Sequence, residues 1–430
     1  MVPNGWTIQK LEQIATVERG KFSARPRNDP KYFGGNIPFV QTGDIAAAKT
    51  YLQNYTQTLN EDGLKVSRLF PKNTILITIA ANIGDTAITS FDVACPDSLV
   101  AIRTNKDTDC FWLKLYLETC KDELDGKATQ NAQKNINLQV LKPLEVLTPP
   151  YPEQRKIAQI LSTWDRSIAT TEKLIDASKQ QKKALMQQLL TGKKRLVDGS
   201  SFRKVREGFA VSKLGELPDD WNVELISKHY WYQEGPGVRK HQFTESGVKL
   251  FNGTNIQHSR INLANTSTYV SSDEAYGAYN HFLADSGDLV IACSGISVDR
   301  FDEKIAFINK EHLPLCMNTS TMRFKVKSET TACLTFMRYF MMSDLFKNQI
   351  RRQITGSAQL NFGPSHMAKC FIPLPSLEEQ KKIASVLSCA DKEVDVLEAK
   401  LAHFKQEKKA LMQQLLTGKR RVKVDEEVAT

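Results

Sequence analysis

Lys182–Lys193 reads KKALMQQLLTGK, and Lys408–Lys419 reads the same twelve residues. The offset is 226 residues. Without a gap it also aligns Gln133 with Gln359, Asn135 with Asn361, Pro149 with Pro375, Glu153-Gln154 with Glu379-Gln380 and Asp165 with Asp391. Twelve identities in a row do not arise by chance, so the chain is two copies of one unit. Ahead of these segments the match loosens. Trp6-Thr7-Ile8 aligns with Trp221-Asn222-Val223, and Gly20 with Gly235, at an offset of 215. Ile37–Ile45 aligns with Val248–Ile256 at 211, and Asn73–Ile79 with Gly287–Cys293 at 214. A drifting offset means loops of different length. Each unit therefore has a variable front and a nearly fixed back: the backs do one job twice, and the fronts do different jobs on one scaffold.

The backs are helices. Stepping by four and three from Ile157 gives Leu161, Trp164, Ile168, Thr171, Ile175, Ser178, Lys182, Leu185 and Leu189. The second copy gives Ile383, Leu387, Ala390, Val394, Leu397, Leu401, Phe404, Lys408, Leu411 and Leu415. A stripe recurring every 3.5 residues for more than four heptads predicts a coiled-coil seam. Pro152 suits a helix start, Ser376 and Glu379 have capping-box spacing, and Gly192 and Gly418 stand where a helix C-terminus favours a left-handed residue. The economical arrangement pairs the two helices antiparallel within one chain, with a front at each end of a rod of about 55 Å. The alternative packs each helix on its own front. Thr171, Ser178 and Lys182 are polar seam positions, expected either to fix register or to mark a splay.

The chain has 430 residues with 58 Lys plus Arg against 48 Asp plus Glu, a net charge of +10. That excess favours a polyanionic partner. The N-terminus has no signal-peptide pattern, and the longest nearly apolar run, about Thr74 to Ile83, is too short to span a bilayer. The eight cysteines include no C-x-x-C and no Cys/His cluster, which argues against a zinc site and for reduced thiols in a cytoplasmic protein. The fronts read as α+β. Strands are expected at Ile75–Ile79, Leu99–Arg103, Leu289–Cys293 and Thr321–Val326, and helices at Phe111–Leu124 and Leu334–Ile350. The predicted organisation is front 1–148, helix 149–192, basic linker 193–220, front 221–373, helix 374–418 and charged tail 419–430.

No catalytic constellation emerges. Thr148-Pro149-Pro150-Tyr151 resembles the Asn-Pro-Pro-Tyr of adenine methyltransferases, but threonine is neither an amide nor a carboxylate, and the second copy reads Leu374-Pro375-Ser376-Leu377. A proline-rich helix start explains both. There is no G-x-x-x-x-G-K-[ST] and no H-E-x-x-H, and no metal is expected. What the fronts do hold is loops rich in residues that touch nucleic acid. Arg19, Lys21, Arg25 and Arg27 follow a predicted strand, and Arg239, Lys240 and His241 occupy a comparable place in the second copy. Such cations neutralise phosphates, and arginine also reads guanine. Gln41 and Thr42 align with Asn252 and Gly253, and Asp44 with Asn255; amides can read adenine. Gln133, Lys134 and Asn135 align with Gln359, Leu360 and Asn361 just before the helices. Apart from the alignment partners Asp44, Gly253 and Leu360, these form the candidate DNA-binding set.

Each helix opens P-x-x-x-E-Q-[RK]-K-I-A and closes L-M-Q-Q-L-L-T-G-K, and two variable fronts alternate with them. In this the chain resembles the specificity subunits of type I restriction–modification systems over its whole length. The resemblance implies two target recognition domains, each reading one half of a split, asymmetric double-stranded DNA site, and a helical spacer that sets the gap. It implies docking of methyltransferase subunits, usually two, and of translocating restriction subunits. The resemblance also implies that this chain is not itself catalytic, and that methyl donor and ATP belong to those partners. The rival classes are a coiled-coil scaffold that binds only protein and a stand-alone DNA methyltransferase.

Overall fold

The computed structural model describes residues 2–80, 82–128, 134–197, 201–204, 208–264, 266–328, 330–354 and 359–424. Two compact units emerge, one of residues 1–172 with 399–430 and one of residues 173–398. Each contains a front, part of the helix that follows it and part of the other long helix.

In the first unit, Thr7–Lys10 pairs antiparallel with Glu145–Thr148, so the front begins and ends at one place. Between them lies a five-stranded sheet in the order Ala15–Arg19, Leu99–Thr104, Ile75–Thr78, Thr86–Thr89, Tyr51–Leu52. Ile75–Thr78 is buried throughout, as its apolar run predicts for an interior strand, and so is its neighbour Thr86–Thr89, which the sequence did not single out. A four-stranded sheet orders Gln57–Leu59, Phe33–Phe39, Val93–Ala94 and Leu69–Phe70. The second unit repeats the plan. Asn222–Leu225 pairs with Phe371–Leu374. One sheet runs Tyr230–Glu234, Thr321–Val326, Leu289–Ala292, Ile305–Phe307, and the other runs Phe243–Thr244, Tyr269–Val270, Val248–Phe251, Leu315–Met317. The front helices are shorter than their sequence suggests. Cys110–Thr119 stops at Cys120 before Lys121–Gly126, and Leu334–Met342 stops at Ser343 before Asp344–Gln353.

The fixed backs are the helices α1 (Tyr151–Leu189) and α2 (Leu377–Leu415), 39 residues each. Every seam position in both, including Ile168, Ile175, Leu185, Leu397, Leu401 and Leu411, is buried or half-buried. The outer positions do not wait for a partner helix, however. In the first unit Ile157, Leu161 and Leu415 join the front core around Trp112 and Leu113. In the second, Ile383, Leu387 and Leu189 join the core around Phe336 and Phe340. A seam reserved for helix–helix contact is thus corrected: the fronts cover its ends, each front core taking the start of the helix that follows its last strand and the end of the other long helix.

Nearer their middles the helices touch each other in opposite chain directions. In the first unit Trp164 meets Phe404 edge-on at 5.5 Å, Lys408 pairs with Asp165 at 2.5 Å and Lys405 with Glu172 at 3.0 Å. In the second, Lys182 pairs with Asp391, Lys179 with Glu398 at 2.7 Å, and the Ser178 hydroxyl donates to Glu393 at 3.2 Å. The seam lysines are therefore paired. Burial pushes the Asp391 carboxyl up, but Lys182, Tyr339 and Arg338 outweigh it and hold the group below the ordinary carboxylate value.

Two further devices repeat. Buried Gln154 accepts from the Asp109 amide at 2.8 Å and donates to the Pro149 carbonyl at 2.9 Å and the Asp107 carbonyl at 3.3 Å. Buried Gln380 accepts from the Cys333 amide at 2.9 Å and donates to the Pro375 and Thr331 carbonyls at 2.9 and 3.2 Å. Each glutamine stitches a front loop to the start of its helix. At the opposite helix ends, Gly192 and Gly418 take φ of 66° and 68°, as C-terminal turns require. The turn brings Arg195 onto Glu379 with two bonds of 2.8 and 2.7 Å, over the Trp221 ring. Likewise Arg421 grips Glu153 with its guanidinium, over the Trp6 ring. The segment expected to be a plain linker in fact forms two hairpins, Lys194–Val197 with Ser201–Lys204 and Phe209–Ser212 with Gly215–Pro218. No helix among the described residues is long and apolar enough to cross a membrane.

Candidate nucleic-acid interface

Antiparallel pairing decides which loops share an end of each front. In the first unit the segments after Arg19 and Thr78 and the segment before Leu99 lie at the same end of the sheet. A bridge between Ala80 and Asn135 adds the segment ahead of α1. In the second unit the matching segments follow Glu234 and Ala292 and precede Thr321. The side-chain Oδ1 of Asn361 accepts there from the Ser294 hydroxyl and the Gly295 amide at 2.9 and 2.8 Å. The glycines that align at the first strand end have one physical cause. A Cβ on Gly20 would stand 2.2 Å from the Pro96 carbonyl, and one on Gly235 would stand 2.5 Å from the Asn318 backbone.

The first loop is built to present cations. Burial alternates along it: Phe22 and Ala24 are buried, while Lys21, Ser23 and Arg25 face out. Phe22 anchors the loop against Phe39 at 4.9 Å and Phe33 at 5.7 Å. Arg19 donates to the Asp97 carbonyl at 2.6 Å, and Arg27 pairs with the Asp97 carboxylate at 2.8 Å. Asp97, a residue the sequence did not single out, thus orders two of the four cations. Lys21 and Arg25 have no acidic partner among the described residues. In the second unit Arg239, Lys240 and His241 are exposed, and neither Arg239 nor Lys240 has one either. Lys134 pairs with Asp125 at 2.6 Å. Gln359 is exposed in a short strand against Ser297, and Gln133 lies outside the described residues.

The amide candidates require correction. Asn255 is buried, its carbonyl accepts from the Asn252 amide at 2.8 Å, and its NH2 donates to Thr266 and the Asn262 carbonyl. Asn252 in turn accepts from Asn318 at 2.9 Å. Asp44 does the same work in the first unit, accepting from the Gln41 amide at 2.8 Å. The spacing of three that marks these residues is that of a helix cap. Both asparagines are engaged within the fold, and Gln41 is bonded to Gln57. Thr42 opens the short helix Thr42–Ala47 and is half-buried.

Burial pushes the Cys95, Cys110 and Cys293 thiols up to about 12, far from a nucleophile's range. The described residues contain no group of His, Cys, Asp and Glu side chains that would hold a metal. Thr148 donates to the Val146 carbonyl at 3.0 Å and the Pro149 carbonyl receives Gln154, so the Thr-Pro-Pro-Tyr segment is a helix start. Charge and loop placement favour a polyanion at this end of each front. If so, Lys21→Ala with Arg25→Ala weakens binding to all duplex sequences alike and lowers the slope of log affinity against log salt by about 2. A salt titration with mixed-sequence DNA checks this, and an unchanged slope removes the loop from the footprint.

Comparison with known proteins agrees with this geometry. Residues 3–179 and 225–406 each match the type I restriction modification DNA specificity domain. The chain is 26% identical over 426 residues to the type I restriction enzyme MjaVIII specificity subunit of Methanocaldococcus jannaschii, covering 98% of this chain and 94% of that one. The crystal structure of a type I restriction–modification S subunit from M. genitalium superposes with a TM-score of 0.55 at 13% identity, covering 96% and 97% of the two chains. A chain solved in work on assembly and conformational transition of the type I R–M system gives 0.58 at 14%, covering 97% and 98%. Two copies of the domain, on two units that share one fold, place the chain in a single family: it belongs to the specificity subunits of type I restriction–modification systems.

Proposed function

We propose that this chain reads a bipartite, asymmetric DNA site, with front 1–148 on one half and front 221–373 on the other. α1 and α2 pair as an antiparallel coiled coil that sets the unread gap. The chain docks two methyltransferase subunits and the translocating restriction subunits, which supply methyl donor, ATP and chemistry. One observation carries this reading: the two units repeat their scaffold, glutamine stitch and arginine clasp, yet differ in the loops at the sheet end. The helix–helix contacts support the spacer. Asp165 with Lys408, and Asp391 with Lys182, are the same pair at the repeat offset. Seam polar pairs of this kind specify register.

Methylome sequencing of the source cells with and without this chain tests the proposal. A two-part, asymmetric methylated motif is expected to disappear when the chain is removed. A methylome that does not change would overturn the reading.

A further inference from the structure

The repeat puts opposite charges at one structural position. Arg19 and Glu234 each end the first strand of their sheet, immediately before the glycines Gly20 and Gly235. Arg19 is exposed and held by the Asp97 carbonyl. Glu234 is half-buried and, among the described residues, has neither a hydrogen bond nor an ion pair to its side chain. Its carboxylate lies against Gly363, 3.2 Å from where a Cβ would stand there. This is the segment that also carries Asn361, which holds the Ser294–Gly295 turn. Burial raises the carboxyl above its ordinary value. A partly desolvated carboxylate without a donor is costly to keep.

We infer that Glu234 is a specificity-determining residue of the second front, accepting a hydrogen bond from the exocyclic amino group of one cytosine or adenine in the second half-site. The inference rests on the sheet end facing DNA. The backbone of DNA offers only anions to a protein carboxylate, so phosphates repel Glu234. The base edges are different: cytosine N4 and adenine N6 present donors in the major groove, and glutamate is suited to the first of these. The unmade bond in the free protein is then made on the correct base only. At the same position the first front carries a donor, which complements acceptors instead. The swap of Arg19 for Glu234 is thus a difference in what each front can recognise, on a scaffold that is otherwise shared.

The experiment introduces Glu234→Gln and Glu234→Ala at the chain's own locus and reads the methylated motif. Glutamine is nearly isosteric and keeps one acceptor, while alanine removes it. Both variants are expected to relax discrimination at one base pair of the second half-site, by about tenfold for alanine. The first half-site and the gap stay as they are. The relaxed base identifies the partner as cytosine or adenine. A motif of unchanged stringency in both variants overturns the inference, as does equal weakening of both half-sites, which would make Glu234 a folding residue. Neither result would touch the broader reading, which is tested on the unaltered chain by whether it directs a two-part motif.

Discussion

Inserting four residues near Ala177 and four near His403 is expected to yield a folded chain that directs methylation to a site with a longer gap. The two points are exposed, equivalent in the repeat and about two-thirds of the way along their helices. The insertions leave intact the helix–helix pairs, Asp165 with Lys408 in one unit and Asp391 with Lys182 in the other, as well as both arginine clasps and both glutamine stitches. Only the stretch between the two ion-paired positions grows. Four residues add about 6 Å along a helix, close to two base pairs at about 3.4 Å each. They also turn it by about 40° beyond a full turn and introduce a stutter in the heptads, which both helices share when both are lengthened. Single-molecule methylation mapping checks the outcome: a gap one or two base pairs longer, with both half-sites unchanged. Retained methylation at the old gap would mean that something other than α1 and α2 sets the spacing.

Gln380→Leu is expected to be among the most damaging single substitutions in the chain. The side chain is fully buried and satisfies three backbone groups, the Cys333 amide and the Pro375 and Thr331 carbonyls. Leucine fills a similar volume and bonds none of them. The bond to the Pro375 carbonyl is buried and those to Cys333 and Thr331 are partly buried; an orphaned buried group costs about 1–3 kcal/mol and a part-exposed one less, so a net loss of about 2 kcal/mol is expected. Gln154→Leu should do the same to the first unit, since it serves the Asp109 amide and two carbonyls. Thermal denaturation of the two variants checks this. If either melts with the parent chain, the glutamine stitch does not hold the front to its helix.

The helices were legible in the sequence because an apolar period of 3.5 residues and twelve repeated identities leave little freedom. The arginine clasps were not. Arg195 and Arg421 are themselves related by the repeat offset, but they sit in segments that read as linker and tail. Their glutamate partners lie 184 and 268 residues away in the chain. Only folding brings such charges together, and a run of lysines around them hides which cation is engaged. Of the candidate interface, the basic loop was legible because cations cluster locally. Asn252 and Asn255 read in sequence as amides suited to base contact, but their spacing of three also has the form of a cap, and the fold uses them that way. Glu234 carries no local signature, being a lone carboxylate in the sequence. Its meaning comes from the strand end it shares with Arg19.

The most direct test exchanges residues 1–148 for the corresponding front of another member of the family and reads the methylated motif. The account predicts that one half-site changes to that of the donor, while the other half-site and the gap remain. A change in both halves, or in the gap, would contradict the claim that two fronts read DNA independently on a common spacer.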